Sequence, residues 1–197
     1  IILDKNADIL RLPAIALRGL VVFPGNIIHF EVGRKKSIAA IEWAMSNNNA
    51  VFLTAQQDMD VEDPGFKDLY AYGVVAEVKQ VLRVSDELVK VLVEGKYRAK
   101  LLTLDSSGRF LLASTKAAAL RGTKSVDSAR VEALVRSVKE AFEEYLSLNP
   151  RLSKDVVYTI ITNEDAALLC DYIPANLLLK YTDKQALLNE GDRKSVV

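Results

Sequence analysis

A change of hydrophobic period near residue 120 constrains this chain more than any single motif. Before it, apolar side chains run continuously or alternate at every second position; after it, they return every three or four residues. The first pattern buries a strand and the second buries one side of a helix. The expected fold is therefore α+β, with a β-rich lobe over residues 1–118, a linker at 119–124 and an α-helical lobe over 125–197. A chain of 197 residues is long enough for two lobes to bury cores of their own.

The first lobe is organised around residues 12–25, LPAIALRGLVVFPG. Residues 9–17 read as a first strand, with Pro13 tolerable near a strand's beginning or edge. The segment bends at Gly19, and Pro24-Gly25 suits the central positions of a type II turn. Ile27, Ile28, Phe30 and Val32 form a second strand ending at Gly33. Ile38, Ile41 and Met45 then recur at helical spacing, Ser46-Asn47-Asn48-Asn49 ends that helix, and residues 50–55 make a short strand. Residues 73–84 and 88–93 read as one β-hairpin around Ser85-Asp86-Glu87, and 97–104 with 110–115 as a second. Six or seven short strands of this kind make a partly closed barrel.

In the second lobe, Val131, Leu134, Val135, Val138, Phe142, Tyr145 and Leu146 trace one helical face, with Ser125 or Asp127 as caps and Pro150 beyond its end. Shorter helices follow at 154–161, 165–172 and 184–189, the last opening on Thr182-Asp183-Lys184-Gln185, a capping-box pattern.

Chemistry-bearing motifs are scarce. Asp58, Asp60, Glu62 and Asp63 lack the glycine and terminal glutamate offsets of a calcium loop, so residues 57–68 read as a solvated loop. Gly122-Thr123-Lys124-Ser125 departs from a phosphate-binding loop because Thr123 separates the lysine from its glycine. His29 is the only histidine and reads as a strand residue tied up by a hydrogen bond, with no second ligand to complete a zinc site. Cys170, the only cysteine, reads as inert core and excludes a disulfide framework. Trp43 falls off the face of Ile38 and Ile41 and reads as a packing residue. Lysine plus arginine and aspartate plus glutamate balance at 26 each, so no positive field recruits nucleic acid or an anionic membrane. Composition fits a reducing, cytoplasmic setting. The chain opens on Ile1 rather than Met and reads as a piece of a longer one.

Leu12-Pro13-Ala14-Ile15-Ala16-Leu17-Arg18-Gly19 followed by Val22-Phe23-Pro24-Gly25 resembles the opening signature of the N-terminal domain of the ATP-dependent Lon proteases. Val32-Gly33-Arg34 with Ser37, Phe52-Leu53-Thr54-Ala55-Gln56, Tyr72-Gly73-Val74, Val89-Lys90-Val91-Leu92-Val93-Glu94-Gly95 with Arg98, and Asp183-Lys184-Gln185-Ala186-Leu187-Leu188 extend the resemblance nearly end to end. It departs from the pattern at the hairpin tip, where Ser85-Asp86-Glu87-Leu88 replaces a Pro-Asp-Gly turn. The resemblance implies a β-rich, PUA-like pseudo-barrel followed by a helical bundle, non-catalytic and free of cofactors. ATP and Mg, and the Ser-Lys protease chemistry, would belong to modules outside this sequence. The implied partners are misfolded or tagged proteins and the other subunits of a homo-hexamer. A reader of unfolded chains needs exposed apolar surface, and the turn residues Phe23, Pro24, Leu82, Val84 and Leu88 are the candidates for it. The alternative is a small-ligand or RNA-binding module on the same β-lobe. Charge balance disfavours RNA, and the zinc-binding cysteines of Lon-like ligand-binding adaptor domains are absent.

Overall fold

The computed structural model describes residues 2–3, 9–118, 128–149 and 152–190. The expected linker at 119–124, the Gly122 to Ser125 run, the caps Ser125 and Asp127 and the stop at Pro150 lie outside them. In chain order the elements are β1 (Ile2–Leu3), β2 (Ile9–Leu17), β3 (Ile27–Val32), α1 (Lys35–Met45), β4 (Ala50–Ala55), β5 (Tyr72–Arg83), β6 (Val89–Asp105), β7 (Leu111–Ala117), α2 (Ser128–Leu148), α3 (Lys154–Thr162), α4 (Ala166–Asn176) and α5 (Tyr181–Asn189).

Strand β2 pairs in parallel with β4 and antiparallel with β7; β4 pairs with β5, β5 with β6 and β6 with β7. The ladder therefore returns to β2 and closes a ring of five strands, with β1 attached to β2 and β3 to β6. Closure explains the continuous apolar runs. Ile15 and Leu17 of β2 join one buried cluster with α1, while Leu12, Ala14 and Ala16 join a second cluster fed by all five ring strands. A strand buried on both faces has no polar face to show.

Two expected hairpins turn out to share one strand. Residues 89–93 and 97–104 of the two expected segments are parts of the single 17-residue β6, which begins one residue after Leu88. Val75 pairs with Tyr97 and Ala76 with Gly95, so Lys96 is an extra, bulged residue, and a bulge bends a strand without ending it. On the other edge of β6, β3 pairs with residues 89–94 and β7 with residues 99–105. The Pro24-Gly25 turn fills the interval. Asn26 N–H donates to Phe23 O (3.1 Å), Gly25 N–H donates to Gly95 O (2.8 Å) and Gly95 N–H donates to Asn26 O (2.9 Å). Gly25 has φ +75°, as the second central position of a type II turn requires.

The helices differ from expectation in four details. In α1, Ile38, Ile41 and Ala44 are buried but Met45 is exposed. In α2, Val135 and Phe142 are buried while Leu134 and Val138 are exposed, because α3 and α4 cover only part of the apolar stripe. α5 begins one residue before Thr182, with Lys180 at the N-cap and no side-chain cap bond. The capping box does not form, because Gln185 is drawn inward: its Nε2 donates to Tyr72 O at 2.9 Å and to Asn189 Oδ1 at 2.9 Å. α4 continues through Pro174 to Asn176, past the expected end at residue 172.

Helices α4 and α5 fasten onto the sheet. Leu188 is buried in the cluster of β2, β4 and β5, with Tyr181 and Ala175 against it. Arg98 of β6 and Asp171 of α4 form a short, buried ion pair. Burial pushes the Asp171 carboxyl up, against the opposing pull of the Arg98 guanidinium.

Two stability measurements test this frame. A Cβ at Gly95 would stand 2.2 Å from the Phe23 carbonyl oxygen, so Gly95→Ala lowers the stability of the chain in urea unfolding by about 1–3 kcal/mol or more. An unchanged midpoint would mean that the turn is not docked there. Arg98→Met leaves a buried carboxylate unpaired and costs about 3–5 kcal/mol, whereas Arg98→Met combined with Asp171→Leu recovers much of that loss.

Candidate functional site

The structure divides the five residues expected to form an apolar patch. Leu82 and Val84, where β5 leaves the sheet, are 57% and 56% exposed. Leu88 and Pro24 are half-buried. Phe23 has no exposed surface at all. It packs with Val21, Val22, Val74 and Val93 in the main core, because the docking of its turn onto Gly95 leaves the ring nowhere to go but inward. Phe23 is therefore an anchor of the fold and not part of a surface.

What Leu82 does share is a shallow groove of about 190 Å³ lined by His29, Gln80, Leu82, Lys90, Val91 and Leu92. The register explains the company: His29 pairs with Leu92, and Leu92 with Gln80, while Lys90 pairs with Leu82. Residues two apart on one strand share a face, so Ile27, His29, Leu92, Gln80 and Leu82 lie on one side of three adjacent strands. Ile27 is 65% exposed. The sequence reading missed Ile27, Gln80 and Leu92. The alternation of Leu92 with buried Val91 and Val93 was visible, but the bulge at Lys79 that turns Gln80 away from the face of Val78, and which strands stood side by side, were not. His29 is exposed and makes no side-chain hydrogen bond to a described residue, so it is not the tied-up strand histidine expected.

A closed set of charges borders the groove. Lys79 contacts Glu77 (2.9 Å) and Glu94 (2.8 Å), and Lys96 contacts the same two carboxylates at 2.9 and 2.7 Å. Both lysines are the extra residues of β-bulges in the β5–β6 ladder. Hydrogen bonds from Lys79 and Lys96 hold the Glu94 carboxyl down at about 2. With two positive and two negative groups satisfied by one another, the border presents no net charge to an incoming chain.

The remaining candidates resolve as follows. Trp43 packs its ring against Phe110 at 5.7 Å, as a packing residue should. Cys170 is exposed rather than core. Its thiol is held above the ordinary range by desolvation and by the Asp171 carboxylate, which disfavours the reactive thiolate. Residues 57–68 form a loop fastened by Gln56, whose Nε2 donates to Asp58 O and Val61 O. Among the described residues no group of three or more His, Cys, Asp or Glu is placed to hold a metal ion, and no helix is long and apolar enough to cross a membrane.

Comparison with known proteins gives the same answer by sequence and by fold. Residues 11–195 match the family model described as the ATP-dependent protease La (LON) substrate-binding domain. The Lon protease of Desulforamulus reducens is 38% identical over 183 residues, and that of Escherichia coli K12 is 36% identical over 188. These alignments cover 93% and 95% of this chain but only 22% and 24% of the two relatives, so the chain spans less than a quarter of their length. Among solved structures, the N-terminal domain of Mycobacterium avium complex Lon protease superposes with a TM-score of 0.64 at 16% identity, covering 94% of this chain and 100% of that one. The Lon N-terminal domain protein of Xanthomonas campestris gives 0.62 at 15% identity, covering 93% and 92% of the two chains; at such identities the likeness is one of fold. With the model spanning nearly the whole sequence, the chain belongs to the family of Lon protease substrate-binding domains.

Proposed function

We propose that this chain is the non-catalytic N-terminal domain of a cytoplasmic, ATP-dependent Lon-type protease, and that it captures unfolded or degron-bearing polypeptides on the open face of β3, β6 and β5. The observation that carries the reading is the exposure of Leu82, which lines the groove, of Ile27 on the same face, and of Val84 just beyond the end of β5. Folded proteins hide extended apolar segments, so exposed Ile27 and Leu82 beside a border of mutually paired charges favour chains that have lost their fold. The five-strand ring supports describing the β part as a PUA-like pseudo-barrel, with a helical bundle lobe beginning beyond residues 119–124. ATP, Mg and the Ser-Lys protease chemistry belong to modules outside this sequence.

Affinity at such a site is low. Three or four side chains contributing about 1.5–3 kcal/mol each barely offset an association cost of about 4–15 kcal/mol. Six copies on a homo-hexamer would raise apparent affinity by about 10²- to 10⁴-fold when one long substrate touches several. This is a physical reason to mount a weak reader on an oligomer, whose main contacts lie in modules outside this sequence and which this domain only helps to organise.

Binding of a reduced, carboxymethylated, permanently unfolded protein tests the groove. The double variant Leu82→Ser, Val84→Ser removes about 1 kcal/mol per half-exposed side chain, so its dissociation constant rises about thirtyfold at unchanged stability. Undiminished binding would exclude the face. Phe23→Ala behaves differently, losing about 3–5 kcal/mol of stability as a core truncation. In the full-length protease, deletion of the domain changes which substrates are degraded and leaves hexamers intact by sedimentation; dissociated particles would instead make it chiefly an assembly element.

A further inference from the structure

A second cavity, of about 290 Å³, opens between the C-terminal end of β2, the end of β3 and the start of α1. Its walls include apolar Ile15, Leu17, Leu20 and Phe30, and polar Arg18, Arg34 and Ser37. Strand β7 accompanies β2 only as far as Ala14, so residues 15–17 face this space with no strand beside them on that side.

The polar groups here are almost all donors. Arg34 donates to Ala16 O at 3.2 Å, to Gln56 Oε1 at 2.5 Å and to Val61 O at 3.2 Å. Arg18 reaches the same Val61 O at 3.4 Å, and Gln56 Nε2 reaches it at 2.9 Å. A carbonyl oxygen has two lone pairs, so three donors on one acceptor leave at least one poorly served. The buried Arg34 Nε–H has no partner. Neither arginine forms an ion pair among the described residues, although each guanidinium carries a full charge. Glu31, the exposed carboxylate on this wall, bonds neither of them, and Asp63 of the neighbouring loop is engaged by Lys36 at 3.2 Å. Burial and the adjacent Arg18 charge both depress the Arg34 pKa, opposed by Asp63 and Glu62.

Helix α1 adds to the surplus. Its N-cap is Arg34, which supplies no side-chain acceptor, and its first turn contains no acidic residue, so the opening amides and the positive end of the helix dipole lack the usual compensation. Ser37 in that turn is only 5% exposed, lines the cavity, and its hydroxyl makes no hydrogen bond to a described residue. The unpartnered, buried Nε–H of Arg34 and two guanidinium groups crowding one carbonyl are signs of a missing acceptor.

We propose that this cavity binds an oxyanion, a carboxylate or a phosphate, held between Arg18 and Arg34 with the Ser37 hydroxyl and the opening amides of α1 as further donors. Such a ligand brings several acceptor lone pairs and a negative charge, which is what the site lacks. The apolar wall of Ile15, Leu17, Leu20 and Phe30 accommodates a carbon body attached to the anion. The site is separate from the groove on β3, β6 and β5, so failure of either reading leaves the other standing.

The test is an NMR titration of this chain at constant ionic strength, following the arginine Nε–Hε signals and the backbone amides of residues 35–38. Three probes separate the sources of the anion: sodium phosphate, an acetylated hexapeptide ending in leucine as the free acid, and the same peptide as its amide. Saturable shifts at Arg18, Arg34 and the α1 amides with phosphate, with the free acid, or with both establish the site. A response to the acid but not to its amide assigns it to a peptide terminus, and a response to phosphate alone assigns it to a free anion. Arg18→Gln, on an exposed side chain, and Ser37→Ala each weaken binding about tenfold or more, as loss of a charge-assisted hydrogen bond does. Absence of saturable shifts with both anions, or equal binding by wild type and both variants, overturns the proposal.

Discussion

The close approach of a turn to a glycine in the middle of β6 is the contact on which the rest of the structure depends. Gly95 exchanges backbone hydrogen bonds with Gly25 and Asn26, and no larger residue leaves room for the Phe23 carbonyl. That contact occupies the one interval on the edge of β6 where β3 has ended and β7 has not begun. It drives Phe23 into the core and lets a single 17-residue strand serve both the closed ring and the sheet extension that carries the groove. The β-bulge at Lys96 sits beside it, supplying the bend that such double service requires.

The same geometry separates buried anchors from exposed apolar side chains. Apolar residues whose turn is sewn to β6 are buried, as Phe23 is, while those at the far end of the β5–β6 hairpin are free to stay exposed, as Leu82 and Val84 are. The bulged residues Lys79 and Lys96 pair with Glu77 and Glu94 along the border between these regions. Exposed pairs of this kind add little stability; their effect is to keep the border polar yet uncharged.

Three arginines show how one side chain takes different roles according to its acceptors. Arg98 meets a carboxylate from α4 and fastens a helix to the sheet. Arg34 has only neutral oxygens and ties the loop after β4 to β2. Arg18 stands exposed beside it, sharing an acceptor already claimed. The charge balance of the whole chain conceals this local excess of donors, since net charge is a sum and a site responds to its neighbours.

Much of the fold was legible in the sequence because it is governed by local chemistry. Residues 9–17, 27–32 and 50–55 declare themselves strands through their apolar patterns, Gly25 declares its turn, and the spacing from Val131 to Leu146 declares a helix; the family follows from the same runs. What the sequence by itself could not determine was decided by which elements became neighbours. It showed two apolar segments at 88–93 and 97–104 but not that they were one strand, because a bulge is defined by its partner. It marked Phe23 and Leu82 alike as turn residues, and only the docking at Gly95 buried one and left the other exposed. It offered Thr182 and Gln185 as a cap, but the carbonyl of Tyr72, 113 residues away, drew Gln185 inward. Backbone periodicity is written along the chain; burial, register and the partners of polar groups arise between segments distant in sequence, and tertiary packing alone assigns them.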